Sequence, residues 1–151
     1  MIDELNKHLA LEMTAHATYN GYKQAFHHRQ YSKLEARFEE AQAEELGHFN
    51  KITHRILQLG GWPAAVPTMP MKFPSQWDVK AMFEHALKME KAVLASLTAL
   101  AEMAEEEEKD YETFTVLQGP ISETEEDIEY YSTSLMQMKE IGMQNWLQAQ
   151  I

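Results

Sequence analysis

The sequence predicts an all-α fold: a four-helix bundle with one long crossover between helices two and three, plus a short C-terminal fifth helix. Three observations predict it. Ala, Leu, Met, Glu, Gln and Lys dominate outside a single stretch, and these are strong helix formers. Apolar residues recur at steps of three and four in four long segments, while no run alternates with period two. Four of the five prolines, Pro63, Pro67, Pro70 and Pro74, fall together in GGWPAAVPTMPMKFPSQW, the one long break in the chain.

Taken in order, Leu5, Leu9, Tyr19 and Phe26 form the stripe of a helix over about 2–29. Leu34, Phe38, Ala41, Ile52, Ile56 and Leu59 form that of a second, about 31–59, which Gly60-Gly61 stops. Phe83, Leu87, Leu94, Leu97 and Ala101 mark a third, about 76–104, starting near Ser75, Trp77 and Asp78. Phe114, Leu117, Ile121, Ile128, Tyr131, Leu135 and Met138 mark a fourth, about 109–141, stopped by Gly142. Gly119-Pro120 sits inside it, and a capping-box spacing follows at Ser122 and Glu125. The stripe keeps its phase across the proline, which predicts a kink rather than a new start. The tail MQNWLQAQI predicts a small helix over about 143–150. Short links make helices one and two, and three and four, antiparallel hairpins; the long link runs the length of the bundle. The whole chain, 1–151, reads as one domain.

Composition narrows the chemistry. With 13 Lys and Arg against 24 Asp and Glu, the 151 residues carry a net charge of −11. That disfavours nucleic-acid binding and favours cations. There is no cysteine, which excludes disulfides, thiolate metal sites, iron–sulfur clusters and a cysteine nucleophile. The opening MIDELNKHLALEMTA has no apolar targeting core, and no uncharged stretch is long enough to span a bilayer. These features predict a cytoplasmic protein without a membrane partner.

The informative residues are those that break the stripes. Glu12, Glu45 with His48, and Glu90 each sit among apolar neighbours near the middle of helices one, two and three. A buried carboxylate is costly unless it is paired, protonated or metal-bound. Glu45 and His48 form Glu-x-x-His, which puts both on one helix face. With a Glu from each of helices one and three, this becomes a carboxylate-bridged dinuclear pattern. Oxygen ligands with a few imidazoles suit iron or manganese. The separation of Glu12 from Glu45 equals that of Glu90 from Glu123, as in two related halves. In the second half the repeat points to Glu123 and Glu126, whereas the stripe points to Thr124 and Asp127. The stripe is preferred, with Glu123 and Glu126 flanking.

At these residues the chain resembles a ferritin-superfamily subunit, with features of bacterial non-haem ferritin and bacterioferritin. LNKHLALEMTAHATY resembles the first helix of both, EELGHFNKITHRILQLGGWP the second helix and its exit, and KMEKAVLASL the third. DYETFTVLQ with SETEED resembles the fourth helix of non-haem ferritins, and IGMQNWLQAQI the bacterioferritin C-terminus. The resemblance implies that Glu12, Glu45 and His48 bind one iron, and Glu45, Glu90 and Asp127 the second. It implies an additional iron position at Glu44, Glu123 and Glu126, and a redox-active Tyr19. It further implies iron storage and detoxification: Fe²⁺ oxidised by oxygen or peroxide at a di-iron centre, with ferric mineral held in a homo-oligomeric cage of the 24-subunit kind. The fourth helix departs from the family, with Asp127 where Glu or His is usual and Thr124 where Gln or Glu is usual. Leu46 stands where bacterioferritins carry the haem-ligating Met, so haem is not expected there. His16 reads as a core hydrogen-bonder, and His27, His28, His54 and His85 as surface or helix-end residues. Trp62 and the crossover are expected to pack on a neighbouring subunit. The competing readings are a rubrerythrin-type di-iron oxidase or peroxidase, a DNA-protecting mini-ferritin and a non-catalytic cage subunit. The first lacks its second Glu-x-x-His and its Cys₄ iron domain here.

Overall fold

The computed structural model describes residues 1–64 and 73–151. Pro67 and Pro70 of the crossover lie outside the described residues. Four long helices form: α1 (Ile2–His28), α2 (Ser32–Gln58), α3 (Val79–Glu102) and α4 (Tyr111–Ile141), followed by the short α5 (Met143–Gln148). Among the described residues there is no strand.

Side-chain pairs fix the helix directions. His8 meets Ser96 at 2.9 Å, and Tyr19 reaches Glu90, so α1 and α3 are antiparallel. His48 meets Glu123 at 2.6 Å and Arg55 meets Asp110 at 2.8 Å, so α2 and α4 are antiparallel. His16 meets the carbonyl of Gln42 at 3.0 Å and His48 faces Glu12, which makes α1 and α2 antiparallel too. It follows that α2 and α3 run parallel. Each long helix packs on two others, α1 and α4 both touching α2 and α3.

The ends of the elements have local causes. Gly60 at φ 84° and Gly142 at φ 82° occupy the left-handed region where a side chain is strained, and they turn the chain out of α2 and α4. The N-cap of α3 is Asp78, whose carboxylate accepts from Ala81 N–H at 2.9 Å. The helix therefore starts at Val79, later than the expected 76. The preceding Trp77 is used otherwise, stacked on Tyr31 and covered by the Arg29 guanidinium at 4.0 Å. After Glu102 the helix widens into a single π-turn over Met103–Glu107. Asp110 then caps α4, accepting from Thr113 N–H at 3.0 Å.

The helix α4 runs unbroken through Pro120. The missing N–H leaves the Val116 carbonyl without its helical donor. Leu117, Pro120 and Thr124 are nonetheless buried in the bundle, so packing on both sides carries the helix across. Ser122 and Glu125 lie exposed within it, and their capping spacing is not used. At the end of the chain, Trp146 packs edge-on against Phe83 at 5.3 Å. Lys33 binds the carbonyls of Ala149 and Gln150, which ties the tail to the start of α2.

The core divides into two halves. An aromatic half holds Tyr19, Tyr22, Phe26, Phe38, Phe83 and Tyr131. An aliphatic half holds Leu5, Leu9, Ile52, Ile56, Val93, Leu97 and Leu117. The charged residues Glu12, Glu45, His48, Glu90 and Asp127 fall between them in sequence on every helix, and all five are buried.

Candidate metal centre

Each stripe-breaking residue arrives at the same depth because its helix is in register with its neighbours. Glu12 comes from α1, Glu45 and His48 from α2, Glu90 from α3 and Asp127 from α4. Two clusters result. Glu12, Glu45 and His48 each offer one ligand atom, all within 4.8 Å of one another, and Glu45, Glu90 and Asp127 do the same. Glu45 is common to both.

The donor set fits a pair of cations. Both oxygens of Glu45, one oxygen each of Glu12 and Glu90, and His48 Nδ1 are buried and meet no hydrogen-bond partner. Such groups cost free energy unless a cation meets them. The remaining atoms of the same side chains are held by protein. His8 Nε2 bonds the other Glu12 oxygen at 2.6 Å, and its Nδ1 meets the Ser96 hydroxyl. Glu123 accepts from His48 Nε2 at 2.6 Å, leaving Nδ1 facing Glu12 and Glu45 at 3.7 and 3.9 Å. Tyr19 donates to Glu90, and Arg37 donates to Asp127. Outer partners of this kind fix ring and carboxylate orientation at metal sites.

The electrostatics express the crowding. Burial pushes the Glu45 carboxyl well up, and the Glu12 and Glu90 charges push it further. Burial, with the Asp127 charge next, raises Glu90 to about 8. Burial opposes the charge on Glu12, yet the neighbouring Glu45 and His48 and the bond from His8 hold it below the usual carboxylate range. Burial likewise opposes the charge on His48, but Glu12 and Glu123 raise it to about 9. Burial lifts the Tyr19 phenol well above its ordinary value, and the Glu90 charge adds to this. Without cations the site therefore stores protons; cations replace them.

The other anticipated residues fall outside the two clusters. On α4, Thr124 and Asp127 point inward while Glu126 is exposed, which is the arrangement the apolar stripe selects over the internal repeat. Thr124 bonds back to the Pro120 carbonyl at 2.7 Å. Glu44 is half-buried beside Asp127, and burial with that charge lifts its carboxyl to about 7. Among the described residues, no three-ligand cluster contains Glu44, Glu123 or Glu126, and Glu123 is engaged by His48. His16 is partly buried and bonds the Gln42 carbonyl. His27, His28 and His54 are exposed, but His85, expected at the surface, is partly buried. Leu46 is 46% exposed, and Trp62 is 79% exposed. A cleft of about 180 Å³ between α1 and α2 is lined by Glu12, Met13, His16, Leu46 and Phe49.

Two residues of the site are invisible to the motif reading. His8 lies one turn before Glu12, and that i, i+4 spacing was the available signal. Arg37 reads as an ordinary surface charge of α2 and carries no signal for its place beside Asp127.

A four-helix bundle with carboxylate-rich clusters between its helices, each able to hold a metal ion, belongs to the ferritin-like class of helical bundles. Residues 2–141 match the family model of the ferritin-like domain, and the chain belongs to that family. It is 31% identical to a bacterial ferritin of Pseudomonas aeruginosa over 152 aligned residues, covering 100% of this chain and 96% of the relative. The bacterial ferritins of Synechocystis sp. and Neisseria meningitidis serogroup B are 28% and 27% identical over the same coverage. No described helix is long and apolar enough to cross a membrane.

Proposed function

We propose that this chain is an iron-storing ferritin subunit that oxidises Fe²⁺ at a centre bridged by Glu45. The observation that carries the reading is the shared carboxylate: both Glu45 oxygens are buried, unpartnered and common to the two ligand clusters. Glu12, Glu45 and His48 hold one Fe²⁺, and Glu45, Glu90 and Asp127 the other. Glu44, Glu123 and Glu126 are left as a third, outer position, with Glu123 primarily orienting His48. The cleft beside His16 and Met13 leads substrate to Glu12.

Each ion gives up one electron. The pair reduces one O₂ with two protons to hydrogen peroxide, or one peroxide with two protons to two waters. Glu45 and Glu90, protonated in the metal-free site, release their protons as the ions enter. Tyr19 supplies a further electron when one is needed. Its phenolic proton has a receiver already in contact, the Glu90 carboxylate. The ferric product leaves for a mineral held in a homo-oligomeric cage of 24 subunits. Haem plays no part at Leu46, and neither nucleic acid nor a membrane is a partner.

The experiment adds Fe²⁺ in air to the purified protein and measures its assembly mass and the iron it retains. A cage retaining far more iron than its ligand clusters hold is expected. A monomer or dimer would sink the storage reading.

A further inference from the structure

Residues 73–77 lead into α3 and, with the last turns of α1, enclose a cleft of about 310 Å³. None of its lining residues belongs to the two ligand clusters, so it is a separate place on the molecule. Its apolar wall depends on a missing side chain. The Phe73 ring lies against Gly21 so closely that a Cβ there would stand 2.3 Å from it. The same ring meets Tyr22 edge-on at 5.8 Å, and Met82 lines the cleft beside them. Phe73 is nevertheless 50% exposed, so much of its ring is left uncovered.

The polar end of the cleft carries a positive charge without a negative one. Arg29 is the C-cap of α1, and its guanidinium lies over the Trp77 ring at 4.0 Å. Trp77 is itself held, stacked on Tyr31 at 6.0 Å and edge-on to Phe26 at 5.5 Å. Stacking occupies the flat face of a guanidinium and leaves the N–H donors around its edge. Among the described residues no carboxylate pairs with Arg29, and none lines the cleft. His28, Ser75 and Gln76 add hydrogen-bonding groups to the lining. In a chain of net charge −11, a pinned and unpaired arginine beside an uncovered aromatic wall is complementary to an anion with an apolar body.

We propose that this cleft binds a small aromatic carboxylate, with Arg29 gripping the acid group and the ring lying against Phe73 and Tyr22. The site goes beyond iron oxidation and does not depend on it. The guanidinium edge matches a carboxylate with two parallel bonds. One pinned cation suits one acid group rather than a polyanion. The volume stands at the small end of ligand clefts and admits a body of one or two fused rings.

The test titrates the assembled protein with 2-naphthoate, followed by calorimetry and by the fluorescence of the ligand. One saturable site per subunit is expected, with a Kd on the order of 0.1 mM. Naphthalene-2-carboxamide, which has the same shape without the charge, binds at least about tenfold more weakly. Arg29→Gln weakens naphthoate by about tenfold or more and leaves the carboxamide unchanged. Arg29→Lys keeps the charge, loses the fork and recovers only part of the affinity. Gly21→Ala displaces the Phe73 ring and weakens acid and amide alike. Helix content and assembly mass equal to the native protein's separate a lost site from a lost fold. The native protein lacking a saturable site, or binding acid and amide equally, overturns the proposal. So does naphthoate affinity that survives Arg29→Gln, or a folded Gly21→Ala protein that binds like the native one. Fe²⁺ oxidation is unchanged in Arg29→Gln, so the failure of either reading is seen apart from the other.

Discussion

Glu90 shows how one side chain is divided between the proposed metal centre and the protein. One oxygen faces the centre without a partner, and the other accepts from Tyr19, itself packed 5.8 Å from Phe38 and 6.2 Å from Tyr131. Tyr19→Phe removes the donor but keeps the ring. We expect a stability loss of about 1 kcal/mol, the worth of one hydrogen bond. We also expect a normal first oxidation of Fe²⁺ and no tyrosyl radical by electron paramagnetic resonance after it. A radical signal of unchanged size would remove Tyr19 from the chemistry. The residues of the two clusters were legible because each carboxylate interrupts an apolar stripe, and only a partner makes that tolerable. Asp127 was legible by phase alone, since Ile121, Ile128 and Tyr131 set which face of α4 turns inward. The residues behind the ligands were harder to see. His8 sits on the same stripe as Glu12, and Arg37 owes its role to Asp127, a residue of another helix.

At the scale of elements, the register of α2 against α4 decides whether His48 and Asp127 reach the centre, and Asp110 is one of its anchors. Its carboxylate caps α4 through Thr113 and receives Arg55 of α2 at 2.8 Å. Asp110→Ala is expected to cost about 1–2 kcal/mol in thermal or denaturant unfolding, from a lost cap and a lost bridge. Burial opposes the charge of this carboxyl, but Thr113 and Arg55 hold it below its ordinary 3.8. Its contribution is therefore present above that value and fades in acid as pH falls through the depressed value. An Asp110→Ala protein as stable as the native one would show that packing alone sets the register. Helix boundaries tracked local signals such as Gly60, Asp78 and Gly142. Two features did not. The π-turn at Met103–Glu107 falls in a run of plain helix formers that carries no local sign of it. The continuity of α4 through Pro120 was legible not in any local signal but in the apolar stripe, which keeps its phase across the proline.

For the whole molecule, the acidic excess changes meaning once it is located. Four of the acids are buried together with His48, and without metal Glu45 and Glu90 among them hold protons that the unfolded chain would release. Glu90 rises from 4.5 to about 8, Glu44 from 4.5 to about 7, and His48 from 6.5 to about 9. In each case the native state binds more protons between the two values, so stability falls as pH rises through that window. Glu12, which is lowered, acts the opposite way only in stronger acid. The metal-free protein is therefore expected to melt several degrees lower at pH 8 than at pH 5, and divalent metal reverses the trend at pH 8. A melting temperature independent of pH and metal would contradict a proton-loaded centre. The bridging role of Glu45 is the claim on which storage and oxidation both rest. Stopped-flow oxidation of Fe²⁺ tests it most directly. The fast phase is expected to grow with added Fe²⁺ until the two clusters of each subunit are filled, then stop growing. Glu45→Gln is expected to slow it by at least about a hundredfold. A fast phase that saturates at one Fe²⁺ per subunit, or that survives Glu45→Gln, would contradict it.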